Sequence, residues 1–139
     1  MFADSLLWQK LNEHKLETIS VLYLSSSITT RTEPSADFLR QHYTHLFVDR
    51  TPMEQDPLTK SVKALLVSAQ QILDKPRGTT DFRWCIKIES SSSTVNSTME
   101  IFLSKNPRNY VARIGSVFYK LDEKPAEYFF DQFAKLFSP

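Results

Sequence analysis

The stretch FRWCIKIE, residues 82–89, decides the fold that the sequence predicts. Apolar residues at every second position alternate there with charged residues and one cysteine, which is the period of a strand with one buried face. The apolar set is Phe82, Trp84, Ile86 and Ile88, and the alternate set is Arg83, Cys85, Lys87 and Glu89. We therefore predict a strand here that turns its apolar set toward a core.

Three more strands are predicted on the C-terminal side of this stretch. Residues 99–104 repeat the alternation, and residues 110–114 and 117–121 flank Gly115-Ser116. A two-residue loop with glycine first suits a type II′ hairpin. Connections this short favour antiparallel pairing. The second half of the chain thus predicts a four-stranded antiparallel meander.

The rest of the chain predicts helices around that meander. Helical spacing of apolar residues covers four segments: 2–15, 36–48, 56–74 and the end of the chain from Pro125. The third has the clearest start, with Asp56 as an N-cap and Pro57 at the first helical position. Strand-like composition at 17–24, and more weakly at 27–32, can extend the sheet by an N-terminal strand or hairpin. We predict an α+β fold in which residues 1–139 form a single compact domain, its meander packed against about four helices.

The charge balance disfavours two classes of partner. The chain has 139 residues with 17 Lys and Arg against 16 Asp and Glu, a formal net charge of +1. Such a balance lacks the basic excess of nucleic-acid-binding proteins and the polybasic patch of membrane-surface proteins. No apolar run approaches the ~20 residues that a membrane-spanning helix needs. We predict no nucleic acid and no membrane among its partners.

Cysteine and glycine are scarce, which limits the cellular compartments and the kinds of ligand-binding or catalytic loop that the sequence allows. With one cysteine, Cys85, no internal disulfide can form, and the N-terminus has no signal-peptide pattern. A cytoplasmic location is therefore predicted. Only Gly78 and Gly115 are present, so a phosphate-binding P-loop, a dinucleotide fingerprint and a Gly-x-Ser-x-Gly elbow cannot be built. We predict no cofactor.

The histidines are the candidate ligands for a metal site. His42 and His45 are three residues apart in the predicted helix 36–48, and Asp49 follows one turn later. A zinc site would need such side chains plus a further ligand. The spacing matches no established ligand pattern, so ordinary surface histidines are the favoured interpretation and no metal is predicted.

The candidate catalytic groups are two glutamates and the cysteine. Glu89 and Glu100 are predicted on adjacent strands and one face, where paired carboxylates can serve acid–base chemistry. Lys87 and Arg113 can instead neutralise them across the strands. Cys85 has no histidine placed beside it by the sequence, so a structural thiol is favoured. We predict no catalytic residue and do not expect an enzyme.

The outward face of the meander is the predicted functional surface. It combines aromatic groups with charges of mainly positive sign, a composition typical of protein-binding patches. The predicted contact residues are Arg83, Lys87, Phe102, Arg113, Phe118 and Lys120. The sequence thus favours a protein-binding adaptor or inhibitor, for example an immunity protein that neutralises a toxin. The alternative for this face is that one of the helices covers it.

The sequence is compatible with two other functions. In the first, a curved sheet wraps the long helix and encloses a small-molecule or catalytic pocket lined by Trp84, Tyr110 and Tyr119, with His42 or Asp49 as polar partners. In the second, the chain is a homodimeric module. Neither carries a sequence motif of its own.

Overall fold

The computed structural model describes residues 15–25, 36–50, 52–53, 56–72, 82–91, 96–105 and 110–137. Seven strands are present there: β1 (Lys15–Tyr23), β2 (His45–Asp49), β3 (Gln70–Ile72), β4 (Phe82–Ser91), β5 (Asn96–Lys105), β6 (Tyr110–Ile114) and β7 (Val117–Leu121). The three helices of the described part are α1 (Ala36–His42), α2 (Pro57–Ser68) and α3 (Glu123–Phe137). The predicted helix at 2–15, apart from Lys15, and the predicted strand at 27–32 lie outside these residues.

All seven strands form one antiparallel sheet in the order β2-β1-β4-β5-β6-β7-β3. The prediction of a four-stranded meander packed against about four helices is therefore wrong. The four consecutive strands β4 to β7 are present, but β1 and β2 extend the sheet on one side and β3 on the other. An unpaired strand edge leaves backbone N–H and C=O groups without partners, and these added strands supply partners at both ends.

The predicted helix 36–48 ends at His42, and its second part is strand β2. The cause lies at Thr44, whose backbone N–H donates to the Tyr23 carbonyl on β1 (2.7 Å) rather than to a preceding helical turn. Its hydroxyl also donates to that carbonyl (3.1 Å) and accepts from the Ser25 amide (2.9 Å). These bonds begin the pairing of β2 with β1, in which Tyr23 lies opposite His45.

The predicted helix 56–74 is also too long. Its first part is α2, which starts at Pro57 after Asp56 as predicted and ends at Ser68. The Ser68 hydroxyl donates to the Leu65 carbonyl (2.9 Å) and accepts from the Asp122 amide (3.4 Å). Gln70–Ile72 then pair with β7 as an edge strand. The backbone of the predicted last turn thus gains sheet hydrogen bonds in place of helical ones.

Two helices pack on one face of the sheet, which we call the helix face. Residues from α2, α3 and five strands are buried together there, and α3 contributes the fully buried Phe129 and Phe133. Trp84 contacts both, with ring centroids 6.5 and 5.1 Å away. None of the helices in the described ranges is long and apolar enough to cross a membrane.

The short helix α1 packs on the opposite face, which we call the α1 face. A smaller cluster is buried there: Leu24, Leu39, Phe82, Cys85 and Phe102. The sequence placed Phe82 on the same face as Trp84, and this is wrong. The β4–β5 register shifts between these two residues, and a bulge of one residue moves every side chain beyond it to the other face.

Candidate functional site

A continuous row of paired residues crosses the α1 face from one edge of the sheet to the other. Each member lies directly opposite the next on the neighbouring strand: Leu46, Leu22, Cys85, Phe102, Arg113, Phe118 and Ile72. Six of the seven are apolar, and Arg113 is the single charged member. The pairing register therefore places a guanidinium between two phenylalanines.

The turn of the β6–β7 hairpin fixes part of this row. Gly115 and Ser116 form the predicted two-residue turn, and Gly115 has a φ of 60°, which glycine adopts without a side-chain clash. Ile114 then pairs with Val117, and Arg113 with Phe118. Arg113 Nε also donates to the Gly115 carbonyl (2.7 Å), so its side chain is held toward the turn.

Helix α1 covers one half of the row. Leu39 is fully buried in the cluster with Phe102, which is 3% exposed. The Arg40 guanidinium carbon lies 4.9 Å from the centroid of the Phe102 ring, a cation–π distance. The alternative that a helix covers the predicted surface thus applies to Phe102, whereas Phe118 and Arg113 remain half-buried and Lys120 exposed.

Arg40 is also bound to two carboxylates. Its Nε donates to Glu100 Oε2 (3.2 Å) and its Nη2 to Glu100 Oε1 (3.0 Å), which is a two-point contact. Its Nη1 donates to Asp37 on the same helix. The hydrogen bonds that Arg40 donates to Glu100 are the main reason that the pKa of Arg40 is raised. The positive charge of α1 is therefore compensated within the chain.

The cations on the uncovered half are not compensated in this way. Strands β6, β7 and β3 contain Arg113 and Lys120 and no carboxylate. Among the residues that the structure describes, neither cation forms an ion pair. Lys120 lies opposite Val111, two positions along β7 from Phe118. We call Ile72, Val111, Arg113, Phe118 and Lys120 the Phe118 patch.

The two remaining predicted contact residues lie apart from this patch. Lys87 is on β4 and forms an ion pair with Glu89 at 3.8 Å. Arg83 lies at the β4 register shift, and its Nη1 donates to the Ser25 carbonyl at 2.7 Å. The structure therefore brings Arg113, Phe118 and Lys120 together on neighbouring strands, whereas Lys87 lies opposite Glu100, near Phe102 but away from the Phe118 patch.

A groove of about 530 Å³ lies between α1 and the β6–β7 turn. Arg40, Glu100 and Phe102 line it on one side, and Arg113 and Gly115 on the other. The groove runs from the part of the row that α1 covers to the Phe118 patch, and Arg113 belongs to both the groove and the patch. The groove is thus lined by two guanidiniums, one carboxylate and an aromatic ring.

The residues weighed for metal binding and catalysis do not form a common site. His42 ends α1 and lies against Phe38 (4.5 Å between ring centroids), whereas His45 begins β2 and lies against Tyr23 (5.5 Å). In the described ranges no three His, Cys, Asp or Glu side chains are placed to hold a metal ion. Cys85 is 1% exposed, and burial raises the pKa of its thiol to about 12, so it is protonated at neutral pH.

The aromatic residues considered for a pocket under the long helix contact core side chains instead. Trp84 is stacked on Tyr23 (4.1 Å) and also contacts Phe130 (5.2 Å). Tyr110 lies 5.9 Å from Phe130, and Tyr119 is buried in the same cluster. These rings fill space between the sheet and α3, so the groove on the α1 face is the better candidate site.

Sequence reasoning missed Arg40, which lines the groove. The one signal available was its spacing from Asp37, an i, i+3 pair that marks an exposed helix face. That signal does not place the helix over Phe102. Glu100 was considered for catalysis, but its observed partner is Arg40 rather than Lys87 or Arg113.

Comparison with protein-family models, curated protein sequences and solved structures finds no significant match to this chain.

Proposed function

We propose that this chain is a protein-binding module whose Phe118 patch and adjoining groove bind an acidic segment of another protein. The observation that carries the proposal is the pairing of Arg113 with Phe118 on strands that contain two cations and no carboxylate. An arginine beside an aromatic ring is the combination enriched at the energetic centres of protein interfaces.

The charges favour an acidic partner over a neutral one. Arg113 and Lys120 have no ion-pair partner among the described residues, so a carboxylate from outside meets no competing internal anion on these strands. Arg113 Nε is held by the Gly115 carbonyl, which limits the rotamers that binding must order. A guanidinium fixed in this way suits two-point contact with a carboxylate.

The apolar members of the patch supply the second part of the interaction. Phe118 and Ile72 are half-buried and lie opposite each other, whereas Val111, opposite Lys120 on the next pair, is already buried. Burial of half-exposed apolar surface stabilises a complex by about 25 cal/mol per Å² removed from water. The segment we expect therefore combines carboxylates with an aliphatic or aromatic side chain.

Affinity capture with matched variants tests the proposal. The bait would be the wild-type chain, Phe118→Ala and Arg113→Glu, with Tyr128→Ala and Lys124→Glu as controls. Tyr128 and Lys124 are an exposed aromatic residue and an exposed cation on α3, so they match the two changes on the other side of the sheet. Far-ultraviolet circular dichroism and melting temperatures would confirm that every bait is folded.

One stoichiometric protein partner should be retained by the wild type and both controls and lost by both patch variants. The bound segment, located by cross-linking, should be rich in Asp and Glu. Capture that all five baits share equally, or a partner that contacts the α3 side, would contradict the proposal.

A further inference from the structure

Two arginines line the groove between α1 and the β6–β7 turn, but their hydrogen bonds differ. Arg40 donates to Glu100 through Nε (3.2 Å) and Nη2 (3.0 Å), and through Nη1 to Asp37. Every nitrogen of its guanidinium group therefore already has a carboxylate partner within the chain. Glu100 itself lines the groove and is only partly buried, with 32% of its side chain exposed.

Arg113, on the other side of the groove, keeps two donors for a ligand. Its Nε donates to the Gly115 carbonyl (2.7 Å). Its two Nη groups form no hydrogen bond or ion pair with any residue that the structure describes. Two guanidinium nitrogens side by side fit both oxygens of one carboxylate. The groove thus has one guanidinium that is ready for an anion and one that is already occupied.

The charges that line the groove favour a ligand group with a single negative charge. Arg40, Arg113 and Glu100 sum to one positive charge, which one Asp or Glu side chain of a partner neutralises. A phosphorylated residue carries about 1.5 to 2 negative charges at pH 7 and would leave an excess of negative charge beside Glu100. Like charges placed together at an interface disfavour the wrong partner.

We propose that Glu100 determines which anion the groove binds: because it occupies Arg40, the groove takes a carboxylate side chain at Arg113 and disfavours a phosphorylated residue. This inference rests on the proposed function, since it specifies the anionic group that the acidic partner places beside Arg113. Without the charge of Glu100, Arg40 and Arg113 would both be able to bind a ligand in one groove. Clusters of arginines are a usual means of binding phosphorylated residues.

Two blocked pentapeptides serve as probes, titrated into the isotopically labelled whole chain at pH 7 and followed by nuclear magnetic resonance. Both have the pattern Gly-X-Gly-Phe-Gly, where X is glutamate in one and phosphoserine in the other. Alternate residues of an extended segment project to the same side, so X and the phenylalanine suit Arg113 and Phe118, which lie opposite each other. The ratio of the two dissociation constants measures the preference between the anions, since all other contacts are shared.

The wild type should bind the glutamate peptide at least as tightly as the phosphoserine peptide. Glu100→Gln removes the charge and keeps the shape of the side chain, so it should reverse this order and favour the phosphoserine peptide about tenfold. Adding Arg40→Gln to Glu100→Gln should remove that preference, because the second guanidinium is then absent. Glu123→Gln is the matched control, since it removes the same charge from an exposed position on α3, and its ratio should equal that of the wild type.

Several results would overturn the proposal. They are a wild type that prefers the phosphoserine peptide, a ratio that Glu100→Gln leaves unchanged, and a failure of Glu100→Gln to bind the phosphoserine peptide. A preference that persists without Arg40 would mean that Glu100 acts only as a general negative charge, and it would also overturn the proposal.

Arg113→Gln separates this proposal from the proposed function. If the glutamate peptide binds Arg113→Gln as tightly as it binds the wild type, the placement of the acidic partner at Arg113 is wrong. If its binding depends on Arg113 but the ratio does not depend on Glu100, the proposed function stands and only the role of Glu100 is wrong.

Discussion

The guanidinium of Arg40 on α1 lies 4.9 Å above the ring of Phe102 on β5, and the same group binds both oxygens of Glu100 on that strand. One side chain of a seven-residue helix therefore makes two kinds of contact with the sheet. Together with buried Leu39, it holds α1 over Phe102, whereas Phe118, which packs against the same cluster, stays only half-buried.

A double-mutant cycle measures how strongly Arg40 and Glu100 are coupled. Their side chains are 43% and 32% exposed, and ion pairs of that exposure contribute about 0.5–1 kcal/mol when the geometry is two-point. We expect a coupling energy in that range from urea denaturation of Arg40→Ala, Glu100→Ala and the double variant. Lys87 lies opposite Glu100 but pairs with Glu89, so its cycle with Glu100 should give a smaller value. Equal couplings in the two cycles would contradict the assignment.

The buried thiol of Cys85 should make stability fall at alkaline pH. Burial raises its pKa from 9.0 to about 12, so the folded chain keeps a proton that the unfolded chain loses. The stabilisation that comes from this pKa difference is complete below pH 9 and is lost as the pH rises toward 12. Between pH 8 and 10 the free energy of unfolding of the wild type should drop about 1.4 kcal/mol more than that of Cys85→Ala. Identical losses in the two proteins would mean that the thiol is accessible to water.

Two neighbouring residues of α3 separate core from surface. Phe129 is fully buried and contacts Phe133 at 4.3 Å, so Phe129→Ala should lower the free energy of unfolding by about 3–5 kcal/mol. Tyr128 is 42% exposed, and Tyr128→Ala should cost less than about 1 kcal/mol. Chemical denaturation of both variants checks the difference. Similar losses in the two variants would contradict the orientation of α3 that turns Phe129 toward the core and Tyr128 toward solvent.

Strands with long alternating patterns were predictable, and short edge strands were not. Residues 82–89 signal a strand because eight positions alternate, whereas β2 and β3 have five and three residues. A segment that short has too few positions for its pattern to distinguish a helix from a strand. Pairing with a strand distant in sequence makes these segments strands: β2 pairs with β1 at Tyr23, and β3 pairs with β7 at Phe118. The face of Phe82 was missed for a related reason, since a bulge leaves no mark in the alternation.

The candidate site was predictable as far as local geometry determines it. A two-residue turn at Gly115-Ser116 fixes Arg113 opposite Phe118, because turn length sets hairpin register. Placement of Arg40 over Phe102 depends on how α1 docks across residues more than 60 apart in sequence, and no local pattern carries that information. Arg83 and Lys87 were assigned to the site by strand alternation alone, which places a residue on a face but not beside a particular neighbour.

The most direct test of the proposed binding surface is the kinetics of association with the captured partner, measured by surface plasmon resonance at several salt concentrations. Arg113→Glu combined with Lys120→Glu should slow association about tenfold at low salt, and the difference should shrink as salt is added. Phe118→Ala should leave association nearly unchanged and speed dissociation about tenfold or more. Association and dissociation rates that equal those of the wild type in both variants would contradict the account.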